Sequence, residues 1–193
     1  MDAMTDQDLL KRAGRGDEAA FFRLYERHRH AVFRFAYRML GSRELAEDVT
    51  QDCFLSLMRR PGGFDPAQAS LRTYLYAAVR NLVLKQRRRM GQSVTIEDLG
   101  DEPRLPDAQG PLRRLLDEEL ALEVQRAIAS LQLLQREVLV LFEYEGLSLA
   151  EIAAVVAADV GAVKARLHRA RARVRKALGP YFKNHAGTAL VKE

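Results

Sequence analysis

Residues 148–178 read SLAEIAAVVAADVGAVKARLHRARARVRKAL, and this stretch decides the fold. Ser148 and Glu151 stand in capping-box spacing, so a helix opens at Leu149 with Leu149, Ile152, Ala153 and Val156 facing inward. A turn of small residues, Ala157 to Asp159, follows, and Asp159 is placed to cap a second helix. The turn AADV lacks a glycine, which suits it only if no left-handed residue is required. On the second helix Val160, Val163, Leu167, Ala170, Val174 and Leu178 recur every three or four residues as one apolar seam. Residues 160–178 hold seven Lys or Arg and no Asp or Glu, so one side packs and the other is presented.

A short helix, a tight turn and a basic second helix make a helix-turn-helix, here from Ser148 to Arg171. In that geometry the first turns of the second helix reach major-groove base edges and later ones reach phosphates. Ala162, Lys164, Ala165, Arg166, His168 and Arg169 are therefore the candidate readers of duplex DNA, with Arg171 to Lys176 left to phosphates or a partner. A membrane-surface helix would carry a bulkier apolar face than these small residues provide. A merely solvated basic face is the bland alternative.

The rest of the composition agrees with a helix-rich polyanion binder. The chain has 193 residues, a net charge of +5, 48% hydrophobic and 30% charged residues. A lone cysteine, Cys53, excludes an internal disulfide framework and a thiolate-rich metal site. His28, His30, His168 and His185 have no metal-ligand spacing, so neither a metal nor any other cofactor is expected. No apolar run approaches the roughly 18 residues of a membrane span, and MDAMTDQD is no secretion signal, so no membrane insertion and a cytoplasmic location are expected.

Helical spacing dominates along the chain and no segment alternates like a strand, which gives an all-α fold class. Thr5 and Asp8 open a short first helix ending at Gly14, and Asp17 caps a second that runs to Leu40 and stops at Gly41. On it Phe21, Tyr25, Val32, Phe35 and Met39 form a stripe flanked by Phe22, Phe33 and Leu40. Ser42 caps a third helix to about Arg60, where Pro61-Gly62-Gly63 breaks it. Ser70 caps a fourth from Leu71 to about Met90, with Leu71, Leu75, Ala78 and Leu82 inward.

Between them and the helix-turn-helix block lies GQSVTIEDLGDEPRLPDAQG, residues 91–110, which has no helical stripe and reads as a linker. Its five carboxylates (Glu97, Asp98, Asp101, Glu102, Asp107) against Arg104 leave it at −4. The expected organisation is thus two small helical domains, 1–90 and 111–182, joined by an acidic flexible linker and followed by a frayed tail, 183–193.

Two surfaces of the N-terminal half suit different partners. Glu44, Glu47, Asp48, Gln51 and Asp52 cluster on one side of the third helix, opposite Leu45, Val49, Cys53 and Leu57. An acidic patch on a basic DNA binder is badly placed for phosphate and well placed for a protein. The fourth helix interleaves Tyr74 and Tyr76 with Arg72, Arg80, Asn81, Lys85 and Arg87 to Arg89. Rings among cations suit single-stranded DNA, where bases stack while the backbone tracks positive charge. One tyrosine, Tyr74, has a plain core role as its alternative.

Two long strings carry a family resemblance. SRELAEDVTQDCFLSLMRR, followed by GGFDPAQASLRTYLYAAVRNLVLKQRRR, resembles domain 2 of bacterial RNA polymerase sigma factors. LQLLQREVLVLFEYEGLSLAEIAAVVAADVGAVKARLHRARARVRKAL is similar to their domain 4, and the order and spacing match the extracytoplasmic-function (ECF) group of the sigma-70 family. The resemblance covers roughly Asp17 to Tyr181. It implies a dissociable subunit that binds core RNA polymerase and directs promoter-specific initiation, with no catalysis of its own.

It further implies that Glu44, Glu47, Asp48, Gln51 and Asp52 meet the clamp helices of the β′ subunit, and that domain 4 meets the β flap. Phe64 in the loop 62–70, with Arg72, Tyr74, Tyr76, Arg80, Asn81, Lys85 and Arg88, would read and melt the −10 element. Extruding a base costs a few kcal/mol, which stacking partners must offset. The helix-turn-helix would read the −35 element. The family pattern commonly has Trp where Met58 stands here and another near Tyr74, and prolines after the leucine at Leu131, where this chain has Gln132-Leu133-Leu134. An anti-sigma factor is a further partner the resemblance implies. Twenty linker residues span at most ~70 Å, comparable to the two helical turns between the promoter elements.

Two other classes compete. A stand-alone helix-turn-helix regulator would bind its duplex without polymerase. A nuclease built on Glu47, Asp48 and Asp52 would need a His or Lys partner and a metal, which this spacing does not offer.

Overall fold

A computed structural model describes residues 4–89 and 111–186, so the acidic linker and the last seven residues of the expected tail lie outside the described residues. The described residues form eight α-helices joined by turns and contain no strand: α1 (Asp6–Ala13), α2 (Glu18–Leu40), α3 (Arg43–Arg59), α4 (Leu71–Arg89), α5 (Pro111–Ala129), α6 (Leu133–Glu143), α7 (Leu149–Val156) and α8 (Val160–Ala186). A single 3-10 turn, Pro61–Gly63, follows α3.

The N-terminal boundaries are set by short polar side chains. Thr5 Oγ1 accepts from Asp8 N (3.2 Å), Asp17 Oδ1 from Ala20 N (3.0 Å), Ser42 Oγ from Leu45 N (3.3 Å) and Ser70 Oγ from Thr73 N (3.1 Å). Each satisfies an amide left without a helical partner and is worth ~1 kcal/mol. The Ala20 amide, with the Arg12 side chain behind it, holds the Asp17 carboxyl below its ordinary range. Gly41 ends α2 in the left-handed region (φ 74°), donating to Tyr37 O at 2.8 Å.

α2 is the centre of the N-terminal unit, packed by α1, α3 and α4. Val32, Phe35, Met39 and Leu40 are buried as the stripe requires, and Leu24 and Ala36 join them. Phe22, expected beside the stripe, is instead 62% exposed, because the buried arc on that turn is taken by Leu24 and His28. His28 Nε2 lies 2.8 Å from Asp6 Oδ2, and Arg27 donates to the other oxygen of the same carboxylate, so one acid fastens α1 to α2. On α4 the inward set also rotates: Leu71 and Leu75 are buried with Tyr76, Val79 and Val83, while Ala78 and Leu82 lie at the margin.

In the C-terminal half, α6 packs on α8 and α7. α5 stops at Ala129 and Gln132 takes the position before α6, so the helix boundary falls between them. α8 continues to Ala186 with Pro180 inside it, so residues 183–186 of the expected tail are helical.

The helix-turn-helix forms with both capping-box bonds present, Glu151 N to Ser148 Oγ (3.3 Å) and Ser148 N to Glu151 Oε2 (2.8 Å). The turn needs a left-handed residue after all, and Ala157 supplies it at φ 51°, ψ 53°. A side chain there costs ~1–2 kcal/mol. Glycine would remove that strain and return ~0.5–1 kcal/mol through its freer unfolded state. Ala157→Gly is therefore expected to stabilise the chain by about 0.5–1 kcal/mol, which is about 2 °C in Tm. Thermal unfolding followed by circular dichroism checks this, and a lower midpoint would contradict the turn geometry.

Candidate nucleic-acid interface

α3 separates its two faces cleanly. Ala46, Val49, Thr50, Cys53, Phe54 and Leu57 are buried, whereas Glu44, Glu47, Asp48, Gln51 and Asp52 are all exposed. Asp48, Gln51 and Asp52 form one bank of a polar groove of about 360 Å³ whose other bank is Lys85, Gln86 and Arg89 of α4. The acid edge of α3 is thus adjacent to the basic C-terminal turns of α4.

The eight residues expected to meet single-stranded DNA divide into two groups. Phe64 and Tyr74 stand edge to face, with ring centroids 5.6 Å apart, each half-buried. A Cβ on Gly63 would lie 3.4 Å from Tyr74 Oη, so the loop backbone closes directly on that ring. Asn81, Lys85 and Arg88 are exposed on the same helix. Arg72, Tyr76 and Arg80, by contrast, are engaged by the C-terminal half.

That engagement is polar, and it is buried at Tyr76 and half-buried at Arg80 while Arg72 itself is exposed. Tyr76 is 1% exposed, its ring against Phe35, and its hydroxyl donates to Glu145 Oε2 at 2.5 Å. Burial, reinforced by that carboxylate, pushes the Tyr76 hydroxyl well above its ordinary pKa. The other Glu145 oxygen lies 3.4 Å from Arg38 Nη1, and Arg38 also lies over the Tyr144 ring at 4.0 Å. Arg72 donates to the Glu145 backbone carbonyl. Arg80 grips Glu137 with two donors, at 2.8 Å and 3.3 Å. Glu137 is fully buried and Glu145 is 3% exposed.

Arg136 makes the third tie. It donates to Met39 O near the end of α2 (3.2 Å), and to Leu131 O (3.2 Å) and Ala129 O around the end of α5. A cation there completes helix C-terminal carbonyls and meets their negative dipole ends. Burial, with Arg87 nearby, lowers its pKa to about 10, which leaves it charged at neutral pH.

On α8, Lys164, Ala165, His168 and Arg169 are exposed and Ala162 is half-buried, its amide capped by Asp159 at 2.8 Å. Val163, Leu167 and Ala170 form the buried seam. Arg166 is turned inward: Nη1 is buried without a hydrogen bond and lies 3.8 Å from Glu137 Oε1. A separate apolar groove of about 460 Å³, lined by residues including Val124, Ile128, Leu139 and Phe182, opens between α5, α6 and α8. Burial pushes the Cys53 thiol up to about 12, so it is no nucleophile, and no cluster of His, Cys, Asp and Glu suited to a metal exists among the described residues.

Glu137, Glu145, Arg38 and Arg136 are absent from the sequence-based assignments. Glu137 carries a readable signal: in LLQREVLVLFE it is four residues after Leu133 and four before Leu141, on the apolar face of α6. An acid at such a position must have a buried partner. Glu145 lies in a turn and has no comparable signature.

Comparison with known proteins covers both halves. Residues 24–93 match the family described as Sigma-70 region 2, and residues 121–174 match Sigma-70, region 4. The chain is 35% identical to the RNA polymerase sigma-H factor of Pseudomonas aeruginosa, over 92% of this chain and 96% of that one. It is 31% identical to the ECF RNA polymerase sigma-E factor of Escherichia coli, over 93% and 97%. Among solved structures it resembles the sigma factor RpoE in complex with the anti-sigma factor NepR from Bartonella quintana. There the TM-score is 0.65 at 25% identity, over 82% of this chain and 96% of that chain. CnrH in complex with the cytosolic domain of CnrY gives a TM-score of 0.66 at 27% identity, over 91% and 97%.

Removing a buried partner strands the opposing charges. Glu137→Ala, leaving Arg80 and Arg166 uncompensated, is expected to cost about 3 kcal/mol in urea unfolding. Arg43→Ala, at an exposed pair with Glu47, should cost less than about 1 kcal/mol. Equal effects of the two substitutions would contradict the burial of Glu137.

Proposed function

This chain belongs to the extracytoplasmic-function group of the sigma-70 family, and from that premise we propose the division of its surfaces among polymerase, −10 strand and −35 duplex. As a sigma factor it directs promoter-specific transcription initiation by RNA polymerase, with promoter DNA and core polymerase as partners. Its place of work is the cytoplasm, where the polymerase is; among the described residues no helix is long and apolar enough to cross a membrane. Its role is regulatory, a specificity subunit rather than a catalyst.

The observation that carries the division is the presence, in one chain, of two basic surfaces of different chemistry. Lys164, His168 and Arg169 project from the first turns of a capped recognition helix, as duplex readout requires. Phe64 and Tyr74 offer rings beside Asn81, Lys85 and Arg88, as a melted strand requires. Ala162, Ala165 and Arg166 complete the −35 set, and Arg72, Tyr76 and Arg80 the −10 set. The exposed acids Glu44, Glu47, Asp48 and Asp52, with Gln51, bind the β′ clamp helices, a protein surface to which a negative patch is suited. The β flap has the apolar groove beside Phe182 as its seat. The units run 1–90, 111–182, with 91–110 as tether and 183–193 as tail. Relatives crystallised with anti-sigma factors make such a regulator a further partner.

A stand-alone regulator is not favoured, because the family matches extend over both halves in order.

Charge reversal of Asp48 and Asp52 to Lys should abolish capture by core polymerase while leaving the circular dichroism spectrum unchanged; undiminished capture would remove the clamp assignment. Arg169→Ala should lower run-off transcription about tenfold from promoters with an intact −35 element, in line with the loss of one good base contact. An unchanged promoter profile would refute that role.

A further inference from the structure

We propose that α1 and the loop 62–70 form a second subsite for unpaired DNA, a recess that seats one base of the melted −10 strand next to those met by Phe64 and Tyr74. The proposal rests on the −10 reading of the loop and α4. It adds an element, α1, that lies ahead of the residues 24–93 matched to Sigma-70 region 2.

The recess has a volume of about 270 Å³, with apolar walls from Leu10, Phe64 and Pro66 and a polar rim from Gln7, Lys11 and Arg15. Sites for whole drug-sized ligands begin at about 300 Å³, so this one suits a single ring system. Leu10 is buried, and Phe64 is half-buried with its ring edge to face with Tyr74 at 5.6 Å. Phe64 therefore serves two places: it borders the Tyr74 surface and it walls the recess. A strand laid on Tyr74 reaches the recess by passing a single ring, which makes the occupant that same strand.

The rim has the charge a strand requires. Gln7, Lys11 and Arg15 follow at four-residue intervals along α1 and the turn after it, so they line one side, and all three are exposed. The acids of α1 are engaged elsewhere, Asp6 by Arg27 and His28 and Asp8 by Thr5 Oγ1 at 2.6 Å. Among the described residues Lys11 and Arg15 have no carboxylate partner. Cations beside apolar walls suit a nucleotide, whose base lies on the ring while its phosphates stay on the charge. The Gln7 amide is donor and acceptor at once, so it has the means to bond a base edge.

Both walls are fixed before any ligand arrives. On the loop side Asp65 Oδ1 accepts from Ala67 N and Oδ2 from Gln68 Nε2, each at 2.9 Å, which sets the turn that carries Pro66. On the helix side Arg12 grips Asp17 at 2.6 Å and Gly14 N donates to Leu10 O at 2.9 Å, which sets the turn that carries Arg15. Walls formed in advance lower the ordering cost of binding.

The test uses the chain on core polymerase and a fluorescent single-stranded −10 oligonucleotide whose nucleotides are replaced one at a time by an abasic unit. Lys11→Gln and Arg15→Gln should each weaken binding about fivefold. Each should also flatten the slope of log K against log salt by roughly 0.7, the value for one lost phosphate contact on a single strand. Arg23→Gln, at an exposed cation of α2 outside the recess, should change neither. In the parent, the abasic unit at the seated position should cost about tenfold. In Gln7→Ala/Arg15→Gln that same position should cost little, while penalties at other positions persist.

Equal effects of Lys11→Gln, Arg15→Gln and Arg23→Gln would reduce the recess to general charge and overturn the proposal. Abasic penalties identical in the parent and in Gln7→Ala/Arg15→Gln would overturn it too. If Phe64→Ala and Tyr74→Ala weaken the oligonucleotide while the α1 variants do not, the recess alone is rejected. If Phe64→Ala and Tyr74→Ala have no effect, the −10 reading fails, and the recess with it.

Discussion

Two buried carboxylates govern how this chain is arranged. Glu137 and Glu145 are shielded from water, and burial of an unpaired carboxylate is strongly disfavoured. Each therefore dictates where a cation or hydroxyl from the other half must stand: Arg80 for Glu137, Arg38 and Tyr76 for Glu145. The relative placement of the two halves follows from satisfying these groups. Apolar area plays the larger part within each half, where Leu24, Phe35 and Met39 on one side and Val138, Leu141 and Ile152 on the other build the cores.

The elements that were legible in the sequence are those decided locally. A cap is a side chain and an amide three residues apart, so Thr5, Asp17, Ser42, Ser148 and Asp159 announce helix starts without knowledge of the fold. The acidic face of α3 and the seam of α8 are likewise written in a period of 3.6. What escaped was decided at a distance. Tyr76 and Glu145 are 69 residues apart and Arg38 and Glu145 are 107 apart, and nothing in their neighbourhoods pairs them. Phe22 is a large apolar residue left outside, because Leu24 and His28 occupy the buried arc. Ala157 is a backbone geometry imposed by the angle between α7 and α8, against the preference of its own side chain.

The same distinction divides the candidate site. Residue types suited to nucleic acid were recognisable as types, and the family comparisons place both halves among sigma factors. Composition could not say which of them the chain covers with its own carboxylates. Tyr74 and Tyr76 are equivalent in a list of aromatic residues, yet one is half-exposed beside Phe64 and the other is buried against Phe35. Two positions along a helix amount to about 200° of rotation, which is enough to separate an outward ring from an inward one.

Arg136 ties α6 to the end of α2, but two of its three acceptors, Ala129 O and Leu131 O, belong to its own half. Glu137 likewise keeps Arg166 within reach on its own side of the seam. Glu145 differs from both, because its two side-chain partners, Arg38 and Tyr76, belong to the other half. The join is therefore unequal along its length: Arg136 and Glu137 are held from within their own half as well as across it, whereas the Glu145 carboxylate depends on the far side.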